Sequence, residues 1–237
     1  TDYGESGSYV GQLKSAIYKI APHAQVIDLI HDLPVFNPKA SAYLLASYLD
    51  YIPENSIVVG VVDPGVGSNR EPIILEGNGY TFIGPNNGLF SIVAKKLSNY
   101  KLSEIRLSKE PSSKTFHGRD IFAPVAAQIA VQLKTNLESM LIEKLIGFEW
   151  PEELSEAIYI DHFGNVTCGI TLDQINTNLT IKIKEVELNY AKTFHAVKSG
   201  ESFWFRNANG MLEISVREQS ASETLNLKVG DVIALLN

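Results

Sequence analysis

Two short segments carry the residue types best able to do chemistry, Val61-Val62-Asp63-Pro64-Gly65-Val66-Gly67-Ser68-Asn69-Arg70 and Thr115-Phe116-His117-Gly118-Arg119-Asp120. Each sets charged side chains where an apolar run gives way to glycine-rich or helix-starting sequence, the junction at which α/β proteins assemble their sites. If the segments meet in space, Asp63, Arg70 and His117 form a charged cluster able to orient a water molecule and take its proton. Taken singly, Asp63 is equally a turn residue accepting hydrogen bonds from the amides after it, Arg70 a surface cation and His117 a structural residue at a helix start. The positive end of that helix disfavours imidazolium and a nearby carboxylate favours it, so the sequence leaves the protonation state of His117 open.

Other residues could frame such a cluster. Asp2 stands at the end of a presumed first strand, where a carboxylate can bind hydroxyls or cap a helix. Asp161-His162-Phe163-Gly164-Asn165 offers a carboxylate, an aromatic face and an amide in one short stretch, the groups a nucleoside or amino acid requires, although a tight turn between strands would use the same residues. Gly65-Val66-Gly67 is not a phosphate loop, because no helix-opening GxGxxG and no GK[ST] accompanies it. The histidines show no HxxxH or similar spacing, so no metal is expected.

These residues need a scaffold. Val10, Leu13, Ile17 and Ile20 recur at helical spacing over residues 8–20, and Pro22 closes that helix. Gln25 to Ile30 reads as a short buried strand, and Lys39 to Leu49 as a helix opened by Pro38. The β-branched run Ile57 to Val62 predicts a strand covered on both faces. Ile73 to Leu75 and Tyr80 to Ile83 flank a glycine-containing hairpin turn. A helix follows from about Leu89 to Leu97, then a strand at Ile105 to Leu107 and an alanine-rich helix at Asp120 to Leu133. This order predicts an α/β fold whose N-terminal domain, residues 1–133, holds a mostly parallel sheet flanked by helices. Residues 134–152 read as a linker. Short strands at 158–160, 179–186, 202–206, 212–216 and 232–236 then predict a smaller all-β barrel over residues 153–237.

Composition narrows the function. At 237 residues with 45% apolar, the chain can bury a substantial core, and its formal charge of -7 argues against a nucleic-acid partner. A single cysteine, Cys168, excludes an intramolecular disulfide and is expected to be a half-buried structural thiol. Neither a membrane span nor a signal-peptide pattern is present in the sequence, which gives a cytoplasmic expectation. Thr1-Asp2-Tyr3-Gly4 reads as the end of a strand whose earlier residues are missing.

Taken together, the motifs resemble the S-adenosylmethionine hydroxide adenosyltransferase family, the water-using relatives of the bacterial fluorinase and chlorinase. The resemblance rests on Thr1 to Gly4, Tyr9-Val10-Gly11 with Lys14, Ile27 to His31, Val61 to Gly67 with Arg70, Gly84 to Leu89, Phe116 to Pro124, Asp161 to Asn165 and Gly210 to Ile214, in family order along nearly the whole chain. It implies hydrolysis of S-adenosylmethionine to adenosine and methionine by attack of water on the ribose 5′ carbon, with no cofactor. It also implies a homotrimer with active sites between subunits. By position, Asp63, Arg70 and His117 match the water-activating triad, with either Asp63 or His117 as proton acceptor. Asp2 matches the ribose-binding carboxylate, Phe36 and Phe163 the aromatic sandwich, and Asp161 and Asn165 the polar contacts to methionine and adenine. Phe116 and Gly118 are expected at the substrate beside His117. Ala208 stands where relatives often carry serine, which passes the methionine contact to backbone amides near Asn209. Asn86 replaces a usual aspartate whose role is taken to be structural.

Two other functions compete. A halide-using transferase of the same fold would carry tyrosine at the place of Asp63 and, in the fluoride users, serine at that of Gly118. A non-catalytic binding protein for S-adenosylmethionine or adenosine would keep the pocket residues and have no need of the triad.

Overall fold

The structure, a computed structural model, describes residues 1–174 and 176–236. It divides into two compact units, one of Thr1–Leu45 with Leu49–Trp150 and the other of Ala46–Tyr48 with Pro151–Asn237.

The N-terminal unit begins with the amphipathic helix α1 (Tyr9–Ile20), whose Leu13 and Ile17 are buried. After α2 (Pro38–Ser47) come the strands β1 (Ile57–Val59), β2 (Pro72–Gly77) and β3 (Tyr80–Pro85), helix α3 (Ser91–Lys96) and strand β4 (Lys101–Ile105). A π-helical turn at Gly118–Phe122 runs into α4 (Ala123–Ala130), and strand β5 (Leu137–Met140) follows. The β2–β3 hairpin turns at Asn78 and Gly79, both at positive φ, as its tight connection requires. Leu13, Ile17 and Ala21 of the α1 segment pack on Ala123 and Ala127 of α4. Ile121, Phe122 and Val125 cover the sheet residues Ile74 and Ile83.

The mostly parallel sheet expected from the element order is not what forms. The five strands run in the order β1-β3-β2-β4-β5, with β1 and β3 parallel and every other pairing antiparallel. Residues 25–30 are not assigned to a strand. Ile27 and Leu29 are exposed, and the segment's end is met by a single hydrogen bond, from the Thr1 amino group to Ile30 O at 2.8 Å. A short apolar run does not reveal whether a ladder partner exists on each side. The expected linker also changes: β5 lies within it and pairs with β4, which places residues 137–140 in the sheet. Asn86 fastens the chain that follows, donating to Lys144 O at 3.0 Å and Glu71 Oε2 at 3.3 Å while accepting from Ile146 N at 3.0 Å.

In the C-terminal unit, β6 (Leu154–Ile160), β7 (Val166–Thr171), β10 (Ser202–Arg206) and β11 (Met211–Val216) form an antiparallel sheet ordered β10-β11-β7-β6. The strands β8 (Thr180–Ile183), β9 (Val186–Asn189) and β12 (Ile233–Leu236) form a second sheet, and the short α5 (Ala221–Thr224) precedes β12. Trp204, Ile214, Ile181 and Ile183 join one core with Cys168, which is fully buried rather than half-buried. Among the described residues these are two separate sheets and not a closed barrel, because hydrogen bonding between them stops at isolated contacts such as Glu156 with Val232.

Candidate active site

The loop after β1 delivers the first two members of the cluster. Turns formed by Val66 N to Asp63 O and Ser68 N to Gly65 O reverse the chain, so that Arg70 returns to Asp63. Gly67 has φ +82°, and a Cβ there would lie 2.8 Å from Lys114 O, so only glycine lets this loop touch the backbone that leads to His117. Asn87 holds the other side by donating to Val62 O at 2.7 Å. The π-helical turn then begins at Gly118, directly after His117; such turns recur at functional sites because they displace side chains from the regular helical register.

The three side chains meet. Arg70 Nε lies 2.9 Å from both Asp63 oxygens, Arg70 Nη2 also bonds Asp63 Oδ2, and the same nitrogen lies 2.8 Å from His117 Nδ1. Guanidinium can only donate, so His117 Nδ1 accepts and the imidazole proton sits on Nε2. Burial and the Arg70 charge hold the imidazole below its ordinary pKa, against the pull of Asp63 and Asp120. The Asp63 and Arg70 side chains are nearly inaccessible, and Arg70 lies over the Phe122 ring at 5.3 Å. Its remaining nitrogen, Nη1, is buried with no acceptor among the described residues. Buried donors without partners are rare and costly, which marks the cluster as built for a further oxygen.

Asp2 and Phe36 form a second feature. Phe36 N donates to Asp2 Oδ2 at 3.1 Å, and Phe36 has φ +58°, a left-handed conformation that costs a bulky residue about 1–2 kcal/mol. Its ring is 74% exposed, so it is held out as an aromatic face rather than packed. The side chains that steady this segment stand in stretches that carry the resemblance, but their spacing does not show that they bond one another. Asp28 bonds Lys14 and His31, His31 Nδ1 lies 2.9 Å from Thr1 Oγ1, and Thr1 Oγ1 accepts from Tyr3 N at 3.3 Å. Phe116, by contrast, is buried, edge-on to Tyr3 and Tyr9 and under the Arg119 guanidinium, so it supports the site as packing.

The remaining candidates sit on the C-terminal unit. Asp161 Oδ1 accepts from Phe163 N at 2.9 Å and Asn165 N at 2.8 Å, while Oδ2 accepts from Asn165 Nδ2 at 2.8 Å. The segment is thus a tight turn, and the turn is what presents Phe163, 75% exposed, outward. Asp161, Phe163 and Asn165 line a cleft of about 710 Å³ with Phe194, Glu213 and Glu218. Arginine and lysine are missing from its lining among the described residues, which suits a cationic ligand.

Glu213, which lines this cleft, and Ser215, which bonds Asn165, did not stand out as candidates in the sequence. Ser215 Oγ donates to Asn165 Oδ1 at 2.7 Å and so fixes which way that amide points. Glu213 accepts from Asn207 Nδ2 at 2.9 Å and Thr167 Oγ1 at 3.3 Å, and burial, helped by Asp161, raises its pKa. Asn207 Oδ1 in turn accepts from Asn209 N at 3.0 Å and Met211 N at 2.9 Å, shaping the turn that carries Ala208 and Asn209. The alternation of Leu212, Ile214 and Val216 with Glu213 and Ser215 reads as a strand with one polar, solvent-facing side, whereas both faces of β11 are buried, so the sequence gives no hint of their role.

A two-unit α/β protein with a buried aspartate–arginine–histidine cluster and outward-held aromatic rings is the class that the fold and site define. Sequence models of the N-terminal and C-terminal domains of SAM hydroxide adenosyltransferase match residues 1–139 and 155–234. The chain belongs to this family. It is 32% identical to the (R)-S-adenosyl-L-methionine hydrolase of Methanocaldococcus jannaschii, covering 100% of this chain and 94% of that protein. It is also 32% identical to the Thermus thermophilus protein of the same name, covering 100% and 97%. A crystal structure of an uncharacterized conserved protein from Thermotoga maritima superposes with a TM-score of 0.84 at 30% identity, covering 100% of this chain and 98% of that one.

Proposed function

We propose that the protein hydrolyses S-adenosyl-L-methionine to adenosine and L-methionine. The observation that carries this reading is Arg70 clamped between Asp63 and His117. A sulfonium leaves as a neutral thioether, so no acid is needed to protonate it, and the protein has only to place and activate water. The water oxygen bonds to C5′, the C5′–S bond breaks with its electron pair going to sulfur, and one water proton is taken up. With Nδ1 engaged by Arg70, His117 presents Nε2–H as a donor, so the proton goes to Asp63. Arg70 and His117 Nε2–H stabilise hydroxide character as it develops.

On this reading Asp2 holds the ribose hydroxyls, Phe36 and Phe163 sandwich the nucleoside, and Asp161, Asn165 and the Ala208–Asn209 turn take the remaining polar groups. The acidic cleft lining supports a cationic substrate. Each active site combines the N-terminal unit of one subunit with the C-terminal unit of its neighbour in a homotrimer, and the enzyme works in the cytoplasm without a cofactor. A carboxylate at Asp63 repels halide ions, which argues against a halide-using transferase.

The test is turnover of S-adenosylmethionine followed by chromatography. Adenosine and methionine should form in equal amounts, and Asp63→Ala should stop their formation while substrate still binds. Binding without products from the unaltered protein would favour the non-catalytic reading.

A further inference from the structure

Tyr3 is held close to the cluster but lies outside the aspartate–arginine–histidine set. Asp2 N bonds Val61 O at 3.3 Å, Tyr3 N bonds Thr1 Oγ1 at 3.3 Å and Gly4 N bonds His31 O at 2.7 Å, so the backbone on both sides is fixed beside the strand that leads to Asp63. The ring packs against Tyr9 and Phe116 in a three-ring cluster, at centroid distances of 5.6 and 5.8 Å. Its hydroxyl points at Gly118: a Cβ on that residue would lie 2.3 Å from the Tyr3 oxygen but 3.4 Å from Cζ. The bare backbone of Gly118, next to His117, is therefore what leaves room for the phenol oxygen.

That oxygen has no hydrogen-bond partner among the described residues. Unlike Arg70 Nη1 it is not a fully buried orphan, so it is open to a water molecule. Burial, with Asp2 and Asp63 nearby, keeps the phenol protonated far beyond neutral pH, which leaves it a neutral group able to both accept and donate.

We propose that the Tyr3 hydroxyl, which fills the space left by Gly118 beside His117, orients the nucleophilic water. It accepts one water proton in a hydrogen bond while the other proton faces Asp63, which aims a lone pair at the electrophilic carbon. The inference rests on the hydrolase reading above. Tyr3 and Gly118 are on this account a matched pair, and any side chain at 118 competes with the hydroxyl for the same volume.

The experiment is a double-mutant cycle of Tyr3→Phe and Gly118→Ala, read as Tm and as steady-state hydrolysis of S-adenosylmethionine. Tyr3→Phe keeps the ring and should lower kcat about tenfold with little change in KM, the worth of one hydrogen bond made at the reacting water. Gly118→Ala should depress both Tm and kcat when Tyr3 is present. Combined with Tyr3→Phe it should be tolerated, because the remaining contact of 3.4 Å is an ordinary one. Undiminished kcat in Tyr3→Phe would overturn the role in orienting water, and equal damage from Gly118→Ala in both backgrounds would overturn the pairing. Failure of the unaltered protein to make adenosine would overturn the hydrolase reading and the role in water together, while the Tm cycle would still decide the pairing.

Discussion

Arg70 Nη2 donates to His117 Nδ1 across 2.8 Å, and this bond fixes what each member of the cluster can do. It takes up the histidine lone pair that a general base would use, puts the imidazole proton on Nε2, and leaves Asp63 as the acceptor. The bond exists only while His117 is neutral. Because burial and Arg70 lower the His117 pKa, the neutral form persists below the ordinary imidazole range. kcat should therefore hold through neutral pH and fall only when acidification protonates His117. The pH profile of kcat for the unaltered enzyme checks this, with Asp63→Asn inactive throughout.

The same shift has a thermodynamic sign. The unfolded chain takes up a proton at His117 near pH 6.5, whereas the folded chain takes it up only at lower pH, so between the two the unfolded state binds more protons. Stability should be fully present above pH 6.5 and decline as pH falls through the window beneath it. Thermal melts across that window should show a shallower decline for His117→Asn than for the unaltered protein.

Arg70→Lys keeps the charge but cannot reproduce the contacts. One ammonium cannot bond both Asp63 oxygens in the plane of the carboxylate and also reach His117. kcat should drop by roughly 10²-fold or more. Arg70→Met, which leaves a buried carboxylate alone, should cost about 3–5 kcal/mol in urea unfolding. Loss of kcat with little loss of stability in Arg70→Lys would separate the two roles.

Phe36→Ala isolates the aromatic ring, since alanine and phenylalanine both suffer in the left-handed conformation at φ +58°. Stacking of a nucleobase on an aromatic ring contributes about 1–3 kcal/mol, so KM should rise about tenfold while kcat stays close to its original value. Steady-state kinetics decide it, and a loss in kcat alone would remove Phe36 from the binding surface.

Glu213 has a raised pKa, so its contribution to stability is present below the ordinary carboxylate range and is lost as pH rises through its folded value. Glu213→Gln can still accept from Asn207 and Thr167 without the charge. Its Tm should exceed that of the unaltered protein at neutral pH and converge with it in acid. Glu213→Ala, which strands the Asn207 amide, should be destabilised across the range by about 1–3 kcal/mol.

Much of this is legible in the residues. The spacing of Leu13 and Ile17 gives α1, the Asn78-Gly79 pair gives the β2–β3 hairpin, and the Asp63 and His117 segments give the cluster once the glycine turn is allowed to fold back. The N-terminal sheet departs from expectation because the run from Gln25 to Ile30 carries the composition of a strand without a regular ladder. The edge role of β5 leaves no signal because Leu137–Met140 is short and half polar. At the site, the links from Lys14 to Thr1 and from Glu213 to Asn207 run through side chains, and spacing along the chain carries no record of such contacts.

The most direct test of the account is to run the reaction in ¹⁸O-labelled water and locate the label by mass spectrometry. The account predicts one ¹⁸O atom on the 5′ carbon of adenosine, none in methionine, and no labelled adenosine from Asp63→Ala. Label in the amino-acid product, or release of the nucleoside without it, would contradict the proposal that Asp63, Arg70 and His117 direct water to C5′.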